Sequence, residues 1–223
     1  MARTLLITGA SSGIGAATAR AAAAEGWNVA LLARSQDKLA ALAEELGEAA
    51  LPLTADVADF GTLETAVART VDRFGGLHAA FANAGLGVDR PGTEGGDPEE
   101  WRRVVDTNVM GVLHTAKAAL PELRKTRGHL LLTGSAAGRR HVKGSVYSAT
   151  KWFVHGYGGN MSEEMREWGG RCTVISPGMV DTPFFDEAKP DKLQPEDVAG
   201  AVMFALNQDQ RAEVREVFIM PTY

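Results

Sequence analysis

A doubly wound α/β fold, with a mainly parallel seven-stranded sheet and helices on both faces, is what this 223-residue chain predicts. Three observations carry that expectation. Short β-type apolar runs alternate with helical patterns nearly to the end, the rhythm of successive βαβ units. A glycine-rich turn, Gly9 to Gly15, stands between the first strand and the first helix. No linker, low-complexity run or internal repeat divides the sequence, so residues 1–223 read as a single dinucleotide-binding and catalytic domain.

In chain order, the elements alternate. A strand at Arg3–Thr8 leads to a helix at Gly13–Glu25, then a strand at Asn28–Ala33 leads to a helix at Gln36–Leu46. The next pairs are Ala50–Ala55 with Phe60–Phe74, and Leu77–Ala82 with a long, breakable helix over Pro98–Leu123. The last are His129–Thr133 with Tyr147–Trp168, Arg171–Ser176 with Pro195–Gln208, and a final strand at Glu216–Met220. Two helix starts are well signalled. Asp97 caps a helix whose first residue is Pro98, followed by Glu99 and Glu100, and Gln194-Pro195-Glu196-Asp197 repeats the pattern more weakly. The stretches 86–97 and 179–193 are the loops most free to shape a pocket.

Composition narrows the function. Hydrophobic residues at 45% and charged residues at 23% are those of a soluble globular protein. A net charge of −5, with no dominant basic stripe, argues against nucleic-acid or anionic-membrane partners. Cys172 is the single cysteine, which rules out an intrachain disulfide, and its apolar neighbours make it a small core hydrophobe. The N-terminus runs directly into a strand and no apolar run approaches ~18 residues, so a cytoplasmic protein is expected. The five histidines show no metal-ligand spacing, so no metal is expected.

The turn Thr8-Gly9-Ala10-Ser11-Ser12-Gly13-Ile14-Gly15 has the chemistry of a phosphate cradle. Glycines let the backbone turn tightly and approach a pyrophosphate, while the helix N-terminus presents unpaired N–H groups and the positive end of its dipole. The spacing is G-x-x-x-G-x-G, and no Gly-Lys-Ser/Thr follows, which argues against a nucleoside-triphosphate P-loop. At the tip of the second strand an NAD-type site would carry an acid. Here Arg34 and Ser35 stand instead, suited to a ribose 2′-phosphate, so NADP(H) is expected over NAD.

The second constellation is Tyr147-Ser148-Ala149-Thr150-Lys151 with Ser135 upstream. Residues i and i+4 share a helix face, so Tyr147 and Lys151 point into one space. At ~4 Å and an effective dielectric near ~20, ammonium and phenolate attract by ~4 kcal/mol, roughly three pKa units. In bulk water the attraction would be only ~1 kcal/mol, so the expectation is that Lys151 makes Tyr147 a usable acid/base once a closed site, such as a bound cofactor would make, excludes solvent around the pair.

Taken together these motifs resemble the short-chain dehydrogenase/reductase family over essentially the whole chain. The matching residues are the turn from Thr8 to Gly15, Asp56-Val57, Asn83-Ala84-Gly85, Asn108 with Gly111, Ser135, Tyr147 with Lys151, and Pro177-Gly178 leading to Thr182. The resemblance implies a catalytic set of Asn108, Ser135, Tyr147 and Lys151. It implies cofactor contacts from Gly9, Ser11, Ser12, Gly13, Ile14, Gly15, Arg34, Ser35, Asp56, Val57, Asn83, Ala84 and Gly85. Tyr147, Lys151, Pro177, Gly178, Val180 and Thr182 complete that set at the nicotinamide end. In this reading Tyr147 exchanges a proton with the substrate oxygen, Ser135 holds that oxygen, and Lys151 lowers the phenol's pKa. Asn108 kinks its helix to support a proton relay. The implied activity interconverts a carbonyl and a secondary alcohol, in a homodimer or homotetramer acting on a small molecule. A non-catalytic NADP-binding regulator is the alternative, though that reading expects a degraded catalytic set. Sugar-nucleotide epimerases and dehydratases carry an extended C-terminal region that this chain lacks.

Two features depart from the pattern. Arg139, Arg140, His141 and Lys143 form a basic run in the substrate-side loop, which could favour an acidic substrate or be a solvated face. Gly156, Gly158 and Gly159 each cost about 1 kcal/mol in a helix, which either a close helix–helix approach or a bend after Tyr157 would explain.

Overall fold

The computed structural model describes residues 2–90 and 92–222. Seven strands form one sheet: β1 (Thr4–Thr8), β2 (Asn28–Ala33), β3 (Ala50–Thr54), β4 (Ala79–Ala82), β5 (His129–Thr133), β6 (Arg171–Pro177) and β7 (Glu216–Ile219). Their order is β3-β2-β1-β4-β5-β6-β7, and all six pairings are parallel, so "mainly parallel" sharpens to fully parallel. The helices are α1 (Gly13–Ala24), α2 (Gln36–Leu46), α3 (Phe60–Phe74), α4 (Pro98–Val105), α5 (Gly111–Thr126), α6 (Val146–Arg166) and α7 (Pro195–Leu206).

The two-residue period of the strands divides the core into two layers. Leu5, Ile7, Val29, Leu31 and Phe81 face α1, α2 and α7, whereas Leu6, Ala30, Leu32, Leu130 and Val174 face α3, α5 and α6. Leucines and isoleucine across β1 are fully buried, as a strand covered on both faces must be. The chain winds outward from β1 to β3 and then crosses back to β4. That reversal leaves a crevice beyond the carboxyl ends of β1 and β4.

The long expected helix over 98–123 is in fact two. A π-type turn at Asp106–Met110 separates α4 from α5, and α5 runs on to Thr126 with Pro121 inside it. Helix α6 is continuous across its glycines, so it does not fray after Tyr157. Gly158 is needed for packing, since a Cβ there would collide with Val174 on β6, whereas Gly156 and Gly159 face open space. Other boundaries move by one to three residues, within ordinary end fraying.

Candidate active site

The glycine turn is built as its sequence requires. Gly9 and Gly13 have φ of +66° and +51°, the left-handed region that side chains disfavour. A Cβ on Gly15 would overlap the Gly9 carbonyl, so the third glycine lets α1 start hard against the turn. The Ser12 side chain makes no capping bond and the first turn of α1 carries no acid. Its N–H groups are therefore left for an outside anion.

Asn83 locks this turn to the sheet. Its Nδ2 donates to the carbonyls of Thr8 (3.0 Å) and Gly9 (3.4 Å), and its Oδ1 accepts from the Thr133 hydroxyl (3.2 Å). The Thr8 hydroxyl in turn accepts from the backbone N–H groups of Asn83 and Ala84. Three strand ends, β1, β4 and β5, are thereby held in one register at the crevice.

Beyond these ends opens a cleft of about 1180 Å³, larger than the ~300–1,000 Å³ usual for one small ligand. Gly9, Ser11, Ser12, Gly13 and Ile14 line one end, with Arg34, Ser35, Asp56 and Val57 beside them. Asn83, Ala84, Gly85, Pro177, Gly178, Val180 and Thr182 also line it, together with Ser135, Tyr147 and Lys151. Thr182 sits over the cradle, where a Cβ on Gly13 would come within 3.0 Å of its methyl. All the expected residues therefore converge on one cleft, except that Gly15 and Asn108 lie behind its surface.

Asn108 is 1% exposed and acts from inside the π-type turn. Its Oδ1 accepts from Leu86 N (2.8 Å), and its Nδ2 donates to Leu86 O (2.9 Å) and to the Thr150 hydroxyl (3.1 Å). Both amide donors are spent on protein partners. Thr150, which the sequence did not single out, passes the link on by donating to the Tyr147 carbonyl at 2.7 Å. Asn108 thus fixes the loop after β4 to the first turn of α6. Ser145 caps that turn by accepting from Ser148 N.

Tyr147 and Lys151 share a face of α6, with Lys151 Nζ 5.8 Å from the centroid of the phenol ring. Nζ donates to the Thr133 carbonyl at 2.7 Å, and burial pushes its pKa down to about 8. Burial pushes the Tyr147 phenol up, and a hydrogen bond with the Ser135 side chain pulls it part of the way back. The expected effect of Lys151 on Tyr147 is tied to a closed, water-excluding site; in the open cleft burial is the larger influence on the phenol. The ammonium donates to a carbonyl, and burial is the leading influence on each group: alone for Lys151, and against the Ser135 hydrogen bond for Tyr147.

Phe184 covers the phenol, with ring centroids 5.6 Å apart, and reaches across to Gly87, where a Cβ would meet the Phe184 ring at 3.0 Å. Glu100 was read as a helix-start charge. It does stand in the first turn of α4, and it is also 5% exposed and accepts from Asp89 N (2.6 Å) and Arg90 N, fixing the loop over the cleft. No spacing rule signals such a tertiary contact. The basic run disperses: Arg139 pairs with Glu216, His141 stacks on Trp152, and Arg140 alone lines the cleft. Cys172 is buried, as expected of a core residue. Among the described residues no cluster of three or more metal-ligating side chains occurs.

Fold and site together define a Rossmann-type oxidoreductase. The chain belongs to the short-chain dehydrogenase family, whose profile matches residues 3–193. An uncharacterised oxidoreductase of Staphylococcus epidermidis is 34% identical over 97% of this chain and 96% of its own. An alcohol dehydrogenase from the archaeon Thermococcus sibiricus, solved with 5-hydroxy-NADP, superposes with a TM-score of 0.92 at 32% identity, covering 100% of this chain and 98% of that one. A 3-ketoacyl-(acyl-carrier-protein) reductase from Brucella melitensis, solved with NADH, gives 0.90 at 27% identity, covering 99% and 97%.

Proposed function

We propose that this protein is an NADP(H)-dependent oxidoreductase that reduces a carbonyl to a secondary alcohol, or the reverse, with Tyr147 as general acid/base. The observation that carries the proposal is the convergence of Ser135, Tyr147 and Lys151 on the same cleft as the Gly9–Gly15 cradle and Arg34. A nicotinamide dinucleotide supplies the hydride when bound.

The chain's own residues supply orientation and the proton. The N–H groups at the start of α1 hold the pyrophosphate, and Arg34 with Ser35 holds a ribose 2′-phosphate. Asp56, Val57, Asn83, Ala84 and Gly85 border the adenosine side, and Pro177, Gly178, Val180 and Thr182 the nicotinamide side. The Ser135 hydroxyl donates to the substrate oxygen and fixes its position. Burial keeps Tyr147 protonated at neutral pH, so the phenol stands loaded to donate to that oxygen, which suits reduction. Lys151, still largely charged at pH 7, favours the phenolate left behind. Asn108 acts through the loop and helix it joins, as a positioning residue.

The whole chain acts as one catalytic unit on a small molecule, in the cytoplasm, without nucleic-acid or membrane partners. Among the described residues no helix is long and apolar enough to cross a membrane. Assembly into a homodimer or homotetramer through α6 is supported by its outer face, where Trp152 is 43% exposed and Gly156 and Gly159 present bare backbone.

The test is NADPH and NADH consumption against a panel of aldehydes, ketones and keto acids. Reduction of at least one carbonyl, faster with NADPH, is expected. Cofactor binding with no turnover across the panel would favour the non-catalytic regulator, and faster reduction with NADH would overturn the cofactor assignment.

A further inference from the structure

His155 stands one turn beyond Lys151 and two beyond Tyr147, on the same face of α6. Its side chain is 6% exposed and lies directly beneath the Ser135 loop. A Cβ on Gly138 would come within 2.6 Å of its ring, and one on Gly134 within 3.3 Å. The two glycines flanking Ser135 let the loop settle on the imidazole. His155 Nε2 meets the Ser135 carbonyl at 3.2 Å, and that carbonyl also accepts from Gly138 N at 2.9 Å. A carbonyl only accepts, so Nε2 carries the hydrogen.

The other ring nitrogen has no such partner. Nδ1 is buried without a hydrogen bond, and it faces Glu216 Oε1 on β7 at 3.4 Å. In the neutral ring a lone pair therefore points at a carboxylate, two acceptors in contact. A proton on Nδ1 converts that conflict into a charge-assisted hydrogen bond. Arg139, at the end of the Ser135 loop, pairs with Glu216 from the other side. The charged groups around the ring are thus Glu216, which favours the imidazolium, and Arg139 and Lys151, which oppose it.

We propose that His155 is a positioning residue for Ser135: it holds the serine's peptide through Nε2, and on taking up a proton it ties that peptide to Glu216. The proposal rests on the role given to Ser135 above. The imidazole is the hub of a connection from β7 through α6 to the substrate oxygen site. Burial lowers its affinity for the proton, so the tie forms only below the ordinary imidazole range.

The test combines kinetics with a readout that needs no turnover. His155→Leu removes both ring nitrogens; His155→Gln keeps a donor near the Nε2 position. H155L should lower kcat for carbonyl reduction about tenfold, the worth of one hydrogen bond, with KM for NADPH unchanged, and H155Q should recover most of that loss. In wild-type protein the Ala136 amide resonance, whose peptide contains the Ser135 carbonyl, should titrate with the His155 imidazole. E216Q should lower that shared midpoint. An H155L enzyme within twofold of wild type, an H155Q enzyme as impaired as H155L, or an E216Q midpoint that does not move would each overturn the proposal. Should H155L fail to fold, H155Q and E216Q still decide it. A wild-type protein inactive on every carbonyl would refute the catalytic reading instead, and the resonance titration would still report on the His155–Glu216 tie.

Discussion

The Lys151 ammonium lies over the phenol ring of Tyr147, with Nζ 5.8 Å from the ring centroid, while it donates to the Thr133 carbonyl at 2.7 Å. The two side chains share a helix face, yet burial governs each of them separately. It raises the phenol and lowers the ammonium, and the consequences are measurable.

Tyr147 should ionise above its ordinary value near 10, because desolvation outweighs its bond with Ser135. Ultraviolet difference titration of wild type against Tyr147→Phe isolates this phenol. A phenolate step above about pH 10 is expected; a step near neutrality would mean that attraction to Lys151 dominates.

Lys151 carries a pH-dependent stability. Its folded pKa is about 8 against 10.5 for the free group. Below about 8 both folded and unfolded chains hold the proton, and the buried charge destabilises the fold in full. Between 8 and 10.5 only the unfolded chain keeps it, so stability rises with pH at up to about 1.4 kcal/mol per unit. Urea unfolding of wild type and Lys151→Met should show their stability difference moving in wild type's favour by roughly 3 kcal/mol across that window. A pH-independent difference would mean that Lys151 is not desolvated.

His129 works at the opposite end of the scale. Burial holds its pKa at about 3, while its Nε2 contacts the Thr173 hydroxyl at 2.7 Å and its Nδ1 has no partner. The folded state keeps the ring neutral where the unfolded chain protonates it, so stability falls as pH drops below 6.5. His129→Leu should remove about 1.4 kcal/mol per pH unit of that acid sensitivity. Equal acid slopes in the two proteins would contradict the assignment.

Arg34 should set cofactor preference. One charge-assisted bond is worth about 1.5–3 kcal/mol, so Arg34→Ala should raise KM for NADPH roughly 10- to 100-fold and leave NADH little changed. An equal loss for both cofactors would place Arg34 outside the 2′-phosphate site.

Much of this was legible in the sequence because local rules dominate there. Glycine positions, strand alternation and the Asp97-Pro98 start report backbone conformation, which neighbours in sequence decide. The break at Asp106–Met110 was only half legible: a long helix invited a break, but a π-type turn is set by the bonds Asn108 makes to Leu86 and Thr150 across the fold. Glu100 and His155 were not legible as site residues. Each is an ordinary helix residue until tertiary packing buries it against a loop. The burial of Tyr147 was not legible for a related reason: i, i+4 geometry gives proximity, but desolvation depends on what Phe184 and the rest of the cleft cover.

The most direct measurement is carbonyl reduction by Tyr147→Phe beside wild type, with NADPH affinity measured on both. The variant should lose about 10²–10⁴-fold in kcat and bind NADPH as wild type does. Turnover retained within a few fold, on a carbonyl the wild type reduces, would contradict Tyr147 as the proton donor.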